Sequence, residues 1–408
     1  MKEGWQTKTL HEVCEVFADG DWIESKDQSS KGIRLIQTGN VGEGVFKGRA
    51  DKARYISEAT FKRLRCTEIF EGDCLVSRLP DPVGRSCILP DTGERMITAV
   101  DCTILRFNPS QLLPRFFNLY SQSADYLTFV AKECTGTTRN RISRKALGRT
   151  LIPVPPLAEQ RRIVEVLDEA FEGLAIAKAN VEKNLNNARA LFKGHLQSIF
   201  TQRGPGWMNK PFEELVESNI IGLNKNSREQ GQDKGWHYVK MNNITRDNRF
   251  DYSSFTCVDA TPEEVSKFSL KHGDFLFNTR NSHELVGKSC IYESYSNDAV
   301  LYNNNIMRVR FQRSIDARFV LLAFSSKGVA DALNALKSGT TNVSAIYFKD
   351  LKSLVIPVPP IAEQKKIAAK LESLGVETQR LARLYERKLA ALEALKKSLL
   401  HQAFTGQL

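Results

Sequence analysis

Residues 152–160 read IPVPPLAEQ, and residues 356–364 read IPVPPIAEQ. Eight of the nine positions are identical, and the one difference exchanges Leu157 for Ile361. Agreement of this length at two places in one chain indicates an internal repeat, and the offset makes the repeated unit about half of the sequence. The architecture can therefore be predicted for one copy and applied to both.

Other landmarks recur at nearly the same offset. They are Trp5 with Trp207, Asn40 with Asn243, Gly72-Asp73 with Gly273-Asp274, Ser86-Cys87-Ile88 with Ser289-Cys290-Ile291, and Gly136-Thr137-Thr138 with Gly339-Thr340-Thr341. The copies meet at a turn-forming RGPG cluster, residues 203–206. We predict globular domains at 1–151 and 205–355, each followed by a linker and long helix, at 152–204 and 356–408.

Each globular domain is predicted to mix strands and helices. Short β-like runs are separated by Gly, Pro, Asp and Asn turns. They cover residues 33–38, 69–78, 86–89 and 103–107 in the first copy, and 236–241, 274–278, 289–292 and 306–311 in the second. One helical stretch with apolar residues at helical spacing follows in each copy, at 114–131 and 317–336.

The proline-rich segment separates each domain from the helix that follows. Its prolines hold an extended backbone and lack amide donors, so neither a helix nor a central strand can pass through it. We predict a stiff connector, with the second proline of the pair in the first turn of a helix. Glu159 and Glu363 would then lie near the positive end of the helix dipole.

A heptad-like apolar seam follows each connector. Its positions are 163, 167, 170, 174, 177, 181, 185, 188, 192, 196 and 199 in the first copy, and 367, 371, 374, 378, 381, 385, 388, 392, 395 and 399 in the second. Each helix should exceed about 50 Å in length. Such a stripe needs a partner, and short connections favour antiparallel pairing of the two helices, with the globular domains at opposite ends. The alternative is that each helix packs on its own domain.

The predicted fold class is therefore α+β. Two mixed α/β domains are joined by two long helices that form an antiparallel coiled coil, and the whole has a pseudo-twofold internal repeat.

Charge indicates the kind of partner. The chain of 408 residues has a net charge of +11, and its pI is near 9.2. Residues 1–204 contain 30 basic and 25 acidic side chains, and residues 205–408 contain 28 and 22. The basic excess therefore belongs to both copies and not to a single tail, so both copies should attract polyanions.

Cysteine spacing and hydropathy indicate the cellular compartment in which the protein is expected. Its eight cysteines form no Cys-x-x-Cys pair, which predicts reduced thiols and no structural zinc. No apolar run approaches the ~18 residues of a membrane span, and no signal peptide is recognisable. We expect a cytoplasmic protein.

The sequence contains no convincing catalytic motif. Gly287-Lys288-Ser289 matches the end of a phosphate-binding Walker A loop, but Ser282 stands where that motif needs glycine. Asn108-Pro109-Ser110 lacks the aromatic residue that ends an adenine methyltransferase loop. The six histidines form no constellation with a nucleophile or a metal pair. We expect no catalytic residue and no metal site.

The order of domain, Pro-Pro-x-x-Glu-Gln signature and long helix, given twice, resembles the specificity subunit of type I restriction-modification systems. The resemblance covers essentially the whole chain. It implies that each domain is a target-recognition domain for one half of a split DNA sequence, while the paired helices set the number of unread base pairs. Because the two domains differ outside the landmarks, the target should be asymmetric.

The resemblance also implies partners. Two methyltransferase subunits would dock on the helical regions, and motor-nuclease subunits would cut unmodified DNA. S-adenosylmethionine, ATP and Mg are then expected on those subunits and none on this chain. Two alternatives remain at this point: a coiled-coil scaffold that does not bind DNA, and a reader subunit of another class of restriction system.

Candidate DNA-binding residues lie on loops. Arginine suits guanine and asparagine suits adenine, which singles out Arg78 in loop 77–80 and Arg280 and Asn281 in loop 278–283, although these could be ordinary polar loops. Arg139 and Arg141 lie in the basic segment 137–145 and suit phosphate contact. The counterpart of that segment, 340–344, contains no cation, which puts a shared phosphate role in doubt.

Two further groups of candidates have a structural alternative. Asn40 and Asn243 follow β-like runs and are either turn formers or adenine readers. The partner-docking candidates are the first charged and amide residues of the long helices: Glu159, Gln160, Arg161, Arg162, Glu363, Gln364, Lys365 and Lys366. The alternative for these residues is that they cap the helix, pack, or form a solvated helix face.

Overall fold

The computed structural model describes residues 4–136, 140–253, 255–294, 298–340 and 342–408. The chain divides into two compact units. Unit 1 comprises residues 1–183 and 385–408, and unit 2 comprises residues 184–384. Each unit therefore contains one of the predicted globular domains and a part of both long helices.

The strands of unit 1 form three sheets. They are β1 (Gln6–Thr9), β2 (Cys14–Asp19), β3 (Gln28–Ser29), β4 (Ile33–Ile36), β5 (Arg54–Ile56), β6 (Glu68–Ile69), β7 (Cys74–Ser77), β8 (Ser86–Ile88), β9 (Met96–Thr98), β10 (Cys102–Phe107) and β11 (Leu151–Val154). β1 pairs with β11, a four-stranded antiparallel sheet has the order β2-β10-β7-β8, and a five-stranded sheet has the order β3-β5-β4-β9-β6. Only the β4–β9 pair of these strands is parallel.

The helices that begin in the first half of the chain are α1 (Glu58–Leu64), α2 (Pro114–Tyr120), α3 (Ala124–Glu133), α4 (Arg144–Gly148) and the long helix α5 (Leu157–Gln202). The prediction of one continuous helix over 114–131 is wrong, because the helix is interrupted between α2 and α3. The hydroxyl of Ser121 donates to the carbonyl of Asn118 at 2.8 Å, and the hydroxyl of Ser123 caps α3. Serine hydroxyls compete in this way with the bonds that would continue a helix.

Unit 2 repeats the main sheet of unit 1. Its strands are β12 (Met208–Pro211), β13 (Val216–Ile221), β14 (Gln230–Gly231), β15 (Trp236–Val239), β16 (Thr256–Val258), β17 (Phe275–Asn278), β18 (Arg280–Asn281), β19 (Ser289–Ile291), β20 (Val300–Tyr302), β21 (Ile306–Phe311), β22 (Ser338–Gly339), β23 (Ser344–Ala345) and β24 (Val355–Val358). The order β13-β21-β17-β19 corresponds strand by strand to β2-β10-β7-β8, and β12 pairs with β24. The other sheets are β14-β16-β15-β20 and β18-β23-β22.

The helices of the second half are α6 (Phe212–Leu215), α7 (Pro262–Phe268), α8 (Ala317–Ser325), α9 (Lys327–Ala335), α10 (Phe348–Leu351) and the long helix α11 (Ile361–Thr405). The helix predicted at 317–336 is also broken. Ser326 lies between α8 and α9, and its buried hydroxyl donates to the carbonyl of Ala323 at 2.6 Å. The break is therefore a shared feature of both domains.

The proline-rich segments form edge strands as well as connectors. Their first residues are β11 and β24, which pair antiparallel with the first strand of the same domain. Pairing in a two-stranded sheet suits proline, since an edge strand can lack amide donors. The long helices then begin at Leu157 and Ile361, one residue after the second proline of the pair.

Each unit packs its domain against both long helices. In unit 1, Ile163 and Leu167 from α5 join Leu400 and Phe404 from α11 in one apolar core. Lys178 and Glu393 form an ion pair at 2.7 Å, and Arg162 donates to the carbonyl of Leu408. The two helix segments of this unit are therefore antiparallel. The domain of this unit also packs on part of each helix. Helix pairing and packing of a helix on its own domain therefore occur together.

Unit 2 has the same arrangement of helix segments. Leu196 and Phe200 from the end of α5 share a core with Ile367 and Leu371 from the start of α11. The end of one helix thus meets the start of the other. At ~1.5 Å per residue, the 46 residues of α5 span about 69 Å, which agrees with the predicted length.

The predicted seam is confirmed in α5 and partly wrong in α11. Every predicted position of α5 is buried or half-buried, whereas Lys388 and Leu395 are exposed. Leu389 and Lys396 lie at the half-buried seam positions instead. The step from Leu381 to Tyr385 is followed by a second step of four residues to Leu389, which shifts the heptad register of the rest of the helix. The ammonium of Lys396 donates to Gln122 at 3.0 Å and lies 5.1 Å from the centroid of the Phe171 ring.

All eight cysteines are free thiols. Burial raises the pKa of most of them, for example to about 12 for Cys102 and Cys290. Among the residues that the structure describes, no helix is long and apolar enough to cross a membrane.

Candidate functional site

The Gly-Asp landmark builds the same ion pair in both units, between a buried aspartate and a half-buried arginine. The glycine has a positive φ, +84° in unit 1 and +87° in unit 2, and the aspartate that follows it immediately precedes β7 or β17. Asp73 binds Arg106 through two bonds of 2.8 and 2.7 Å, and Asp274 binds Arg310 through bonds of 2.6 and 2.9 Å. The bidentate bonds raise the pKa of both arginines. This landmark therefore fixes the strand that precedes each candidate DNA-binding loop.

Arg78 follows β7 and is buried, with 4% of its side chain exposed. Its guanidinium lies 3.3 Å from Asp19 and 3.9 Å from Asp101, and it donates to the carbonyl of Val100. Burial lowers its pKa, and the Asp19 carboxylate opposes that effect. An exposed loop arginine was predicted here, whereas the structure shows a guanidinium held inside the domain.

Arg141 comes from another part of the chain and meets the same carboxylates. Its guanidinium lies 2.8 Å from Asp101, and that of Arg144 lies 3.9 Å from Asp19. We call Asp19, Arg78, Asp101, Arg141 and Arg144 the arginine–aspartate network. Arg141 and Arg144 are 46% and 48% exposed, so they form its outer face.

Arg139 lies outside the described residues, and its predicted role stays a prediction. Sequence reasoning missed Asp19 and Asp101, since they come from the end of β2 and the turn before β10. Nothing in their local sequence marks them as partners of arginines in other segments.

The corresponding loop of unit 2 contains Arg280 and Asn281 in β18, which pairs with β23. Arg280 is exposed. The amide of Asn281 donates to Asn278 at 2.9 Å and accepts from the backbone of Ser282, so it stabilises the loop. Arg280 is thus the more accessible of the two candidates, and DNA contact by either stays a prediction.

Asn40 and Asn243 both hold a turn. Asn40 accepts a bond from the backbone amide of Gln37 at 3.0 Å and donates to the carbonyl of Lys47 at 2.8 Å. Asn243 accepts from the amide of Lys240 and donates to the carbonyl of Asp251. Reading an adenine would require these bonds to be exchanged. The structure therefore favours the turn-forming alternative for both.

A cation supports each of these turns, Arg85 being buried and Lys288 half-buried. Arg85 donates to the carbonyls of Val41, Thr38, Leu79 and Pro82 at 2.6 to 2.9 Å. In unit 2, Lys288 occupies the same position and donates to the carbonyls of Met241 and Ile244. Burial lowers the pKa of both cations. A cation before the repeated Ser-Cys-Ile motif was a signal that sequence reasoning overlooked.

The glutamine of the Pro-Pro-x-x-Glu-Gln signature ties each long helix to its domain. Gln160 accepts from the amide of Leu113 at 2.9 Å and donates to the carbonyls of Gln111 and Pro155, each at 2.8 Å. Its side chain is completely buried. A surface role in partner docking does not fit this burial, so the packing alternative applies to Gln160.

Gln364 makes the same bonds in unit 2. It accepts from the amide of Asp316 at 2.9 Å and donates to the carbonyls of Ser314 at 3.1 Å and Pro359 at 2.8 Å. It is 1% exposed, so docking by this side chain is equally disfavoured. The two glutamines explain why the signature closes both domains.

The other docking candidates lie on or near the surface. Arg162 pairs with Glu159 at 2.8 Å, and Glu363 accepts a bond from the indole of Trp207 at 3.4 Å. The remaining candidates are exposed: Arg161, Lys365 and Lys366. Docking of a partner on these helix starts stays a prediction.

A second repeated contact connects domain and helix. Arg115 at the start of α2 pairs with Asp168 of α5, with the closest atoms 2.6 Å apart. Arg318 at the start of α8 pairs with Glu372 of α11 at 3.4 Å. Together with the glutamines, these pairs hold each domain at a defined place on its own helix. Within the described ranges, no group of three or more His, Cys, Asp or Glu side chains is arranged to hold a metal ion.

Comparison with known families agrees with the internal repeat. The family model described as "Type I restriction modification DNA specificity domain" matches residues 2–187 and again residues 205–387. The two matches together cover most of the chain, and each contains one domain and most of the long helix that follows it.

Curated relatives include the type I restriction enzyme EcoKI specificity subunit of Escherichia coli K12. It is 26% identical over 323 residues, which cover 75% of this chain and 68% of that protein. The StySPI specificity subunit of Salmonella potsdam is 24% identical over 308 residues, 72% of this chain and 65% of the relative. The chain thus spans about two thirds of the length of these relatives.

Two solved structures have the same fold. A chain from a structure titled for the assembly and conformational transition of the type I R-M system superimposes with a TM-score of 0.75, covering 100% of this chain and 99% of that one. The HsdS subunit from Thermoanaerobacter tengcongensis gives a TM-score of 0.63 with 100% and 98% coverage. Each is 20% identical to this chain.

Proposed function

This chain belongs to the family of type I restriction-modification specificity subunits, and from that premise we propose that its two units each read one half of a split DNA target. Target recognition is the function of the family. The proposal for this chain adds that the target is bipartite and asymmetric, and that the long helices set the spacing between its halves.

The observation that carries this proposal is the repeated attachment of each domain to a long helix. Gln160 and Gln364 make equivalent bonds, and Arg115 and Arg318 pair with equivalent carboxylates. Two tethered readers gain affinity only if their separation matches that of the two half-sites. Defined attachment to a stiff helix supports such a fixed separation.

Partners and cofactors are part of the proposal. Two methyltransferase subunits would dock on the helical regions, with the exposed Arg161, Lys365 and Lys366 as candidate contacts. Restriction and motor subunits would join to cut unmodified DNA. S-adenosylmethionine, ATP and Mg would bind to those subunits, and this chain would be non-catalytic.

The test is co-expression of this chain with the adjacent methyltransferase gene, followed by single-molecule sequencing of host DNA for modified adenines. We expect one split, asymmetric motif that disappears when this chain is deleted. Replacing residues 1–151 with the corresponding domain of a relative should change one half-site and leave the other unchanged. A fully active methyltransferase that modifies no split motif would contradict the proposal.

A further inference from the structure

Four chain segments meet at the arginine–aspartate network of unit 1. The backbone amide of Arg78 donates to the carbonyl of Asp101 at 2.9 Å, and the amide of Ile142 donates to the carbonyl of Arg78 at 3.3 Å. A third bond of 3.0 Å joins Gly20 to the carbonyl of Cys102. These bonds define a junction between the end of β2, the loop after β7, the turn before β10 and the start of α4.

Unit 2 contains the same junction with the same backbone bonds. The amide of Thr279 donates to the carbonyl of Asn305 at 2.8 Å, and the amide of Ile346 donates to the carbonyl of Thr279 at 2.9 Å. Gly222 donates to the carbonyl of Ile306 at 3.0 Å. The two junctions therefore share one backbone scaffold. The equivalent hydrogen bonds show which residue of unit 1 corresponds to which residue of unit 2.

The side chains at the paired positions differ completely in charge. The pairs are Asp19 with Ile221, Arg78 with Thr279, Asp101 with Asn305, Arg141 with Ala345, and Arg144 with Phe348. Every charged member of the network is thus uncharged in unit 2. The supporting ion pairs keep their chemistry, since Asp73 with Arg106 matches Asp274 with Arg310. Variation of side chains on a constant scaffold is what two readers of different sequences require.

We propose that this junction is the base-reading surface of each unit, and that Arg141 and Arg144 of unit 1 contact guanine. In the absence of DNA, Asp101 and Asp19 orient these two guanidinium groups. The proposal deepens the proposed function and rests on it. Guanine presents two acceptors to a guanidinium, as a carboxylate does, so DNA can replace the aspartates as the partner. Both arginines are about half exposed and can make that exchange.

Arg78 is a positioning residue in this arrangement. Its buried guanidinium stays between Asp19 and Asp101 and fixes the carboxylates that orient the outer arginines. In unit 2, Thr279 and Asn305 have no charge, so that unit reads its half-site without an arginine at these positions. Because Arg141 and Arg144 contact guanine in this proposal, the half-site of unit 1 should contain guanine at the contacted positions.

The test uses the complete methyltransferase complex and the split target that the wild-type complex modifies. Arg141→Ala and Arg144→Ala are each measured for binding to that target and to duplexes with one guanine of the unit 1 half-site replaced. We expect binding to the correct target to weaken about 5- to 150-fold and preference at one guanine to disappear. Preference in the other half-site should be unchanged.

Arg149→Ala is the matched control. This arginine lies on the same unit, is 62% exposed and pairs with Glu133 at 3.1 Å, but it is outside the network. It should keep every base preference. If Arg141→Ala and Arg144→Ala also keep every base preference, the inference is overturned, although a wild-type complex that modifies a split motif would still support the proposed function.

Asp101→Asn tests the holding role of the carboxylates separately. Removing one negative charge beside Arg141 should raise affinity for unrelated DNA, and the salt dependence should steepen by about one released counterion. Preference for the correct guanine should fall, since Arg141 loses its fixed partner. Unchanged affinity for unrelated DNA together with unchanged base preference would overturn the holding role.

Discussion

Replacing Gln364 with leucine tests whether the signature glutamine holds the domain on its helix. Leucine has a similar volume and no polar atoms, so the substitution removes three hydrogen bonds with little change in packing. The amide of Asp316 and the carbonyls of Ser314 and Pro359 lose their partner. Each bond contributes about 1 kcal/mol net, and a half-buried amide without an acceptor adds a further penalty.

We therefore expect Gln364→Leu to lower the free energy of unfolding of unit 2 by about 3 kcal/mol. For a unit of roughly this size, that loss corresponds to a melting temperature lower by about 6–12 °C. Scanning calorimetry of the purified chain measures it directly. Gln160→Leu should produce the same loss in unit 1, because its three bonds are equivalent.

Lys365→Leu is the control, since this side chain is the next in the helix and is exposed. It should change stability by no more than about 0.5 kcal/mol. A loss below about 1 kcal/mol for Gln364→Leu would refute the reasoning, because the three bonds would then contribute no more than their replacement by water.

Three further outcomes are expected. Asp73→Asn should destabilise unit 1 by about 1–3 kcal/mol, because the half-buried guanidinium of Arg106 loses the charge of its bidentate partner; denaturant titration measures this, and a neutral variant contradicts it. Leu400→Ala should cost about 2–5 kcal/mol and Leu395→Ala below 1 kcal/mol, and equal losses would contradict the burial of Leu400 in the core and the exposure of Leu395. Burial raises the pKa of four thiols, so at pH 8 they should not react with Ellman's reagent in the native protein: Cys74, Cys87, Cys102 and Cys290. If these thiols react in the native protein as fast as in urea, this expectation is contradicted.

Much of the architecture followed from short-range constraints in the sequence. The prolines of the repeated segment exclude a helix interior and a central strand, and a repeated motif transfers a prediction from one half to the other. The fold class and the family resemblance are confirmed by the family match and the solved relatives. The seam of α5 was predictable because a buried helix face has a fixed period.

The candidate site was less predictable, because its contacts join distant segments. Arg78 was expected on a loop surface, yet Asp19 and Asp101 hold it in the interior. The breaks at Ser121 and Ser326 depend on hydroxyl bonds that periodicity does not reveal. Local pattern therefore predicted which elements exist, whereas tertiary contacts decided which polar side chains are accessible.

The division of the chain has a consequence for its synthesis. Leu400, Ala403 and Phe404 complete the core around Phe116, so unit 1 requires residues that are synthesised after all of unit 2. At ~5–20 residues per second, the 225 residues after 183 take roughly 10–45 s to be made. Unit 2 is continuous in sequence and can close earlier. A nascent chain would thus finish its second unit before its first, and a premature stop codon near residue 384 would damage the N-terminal reader.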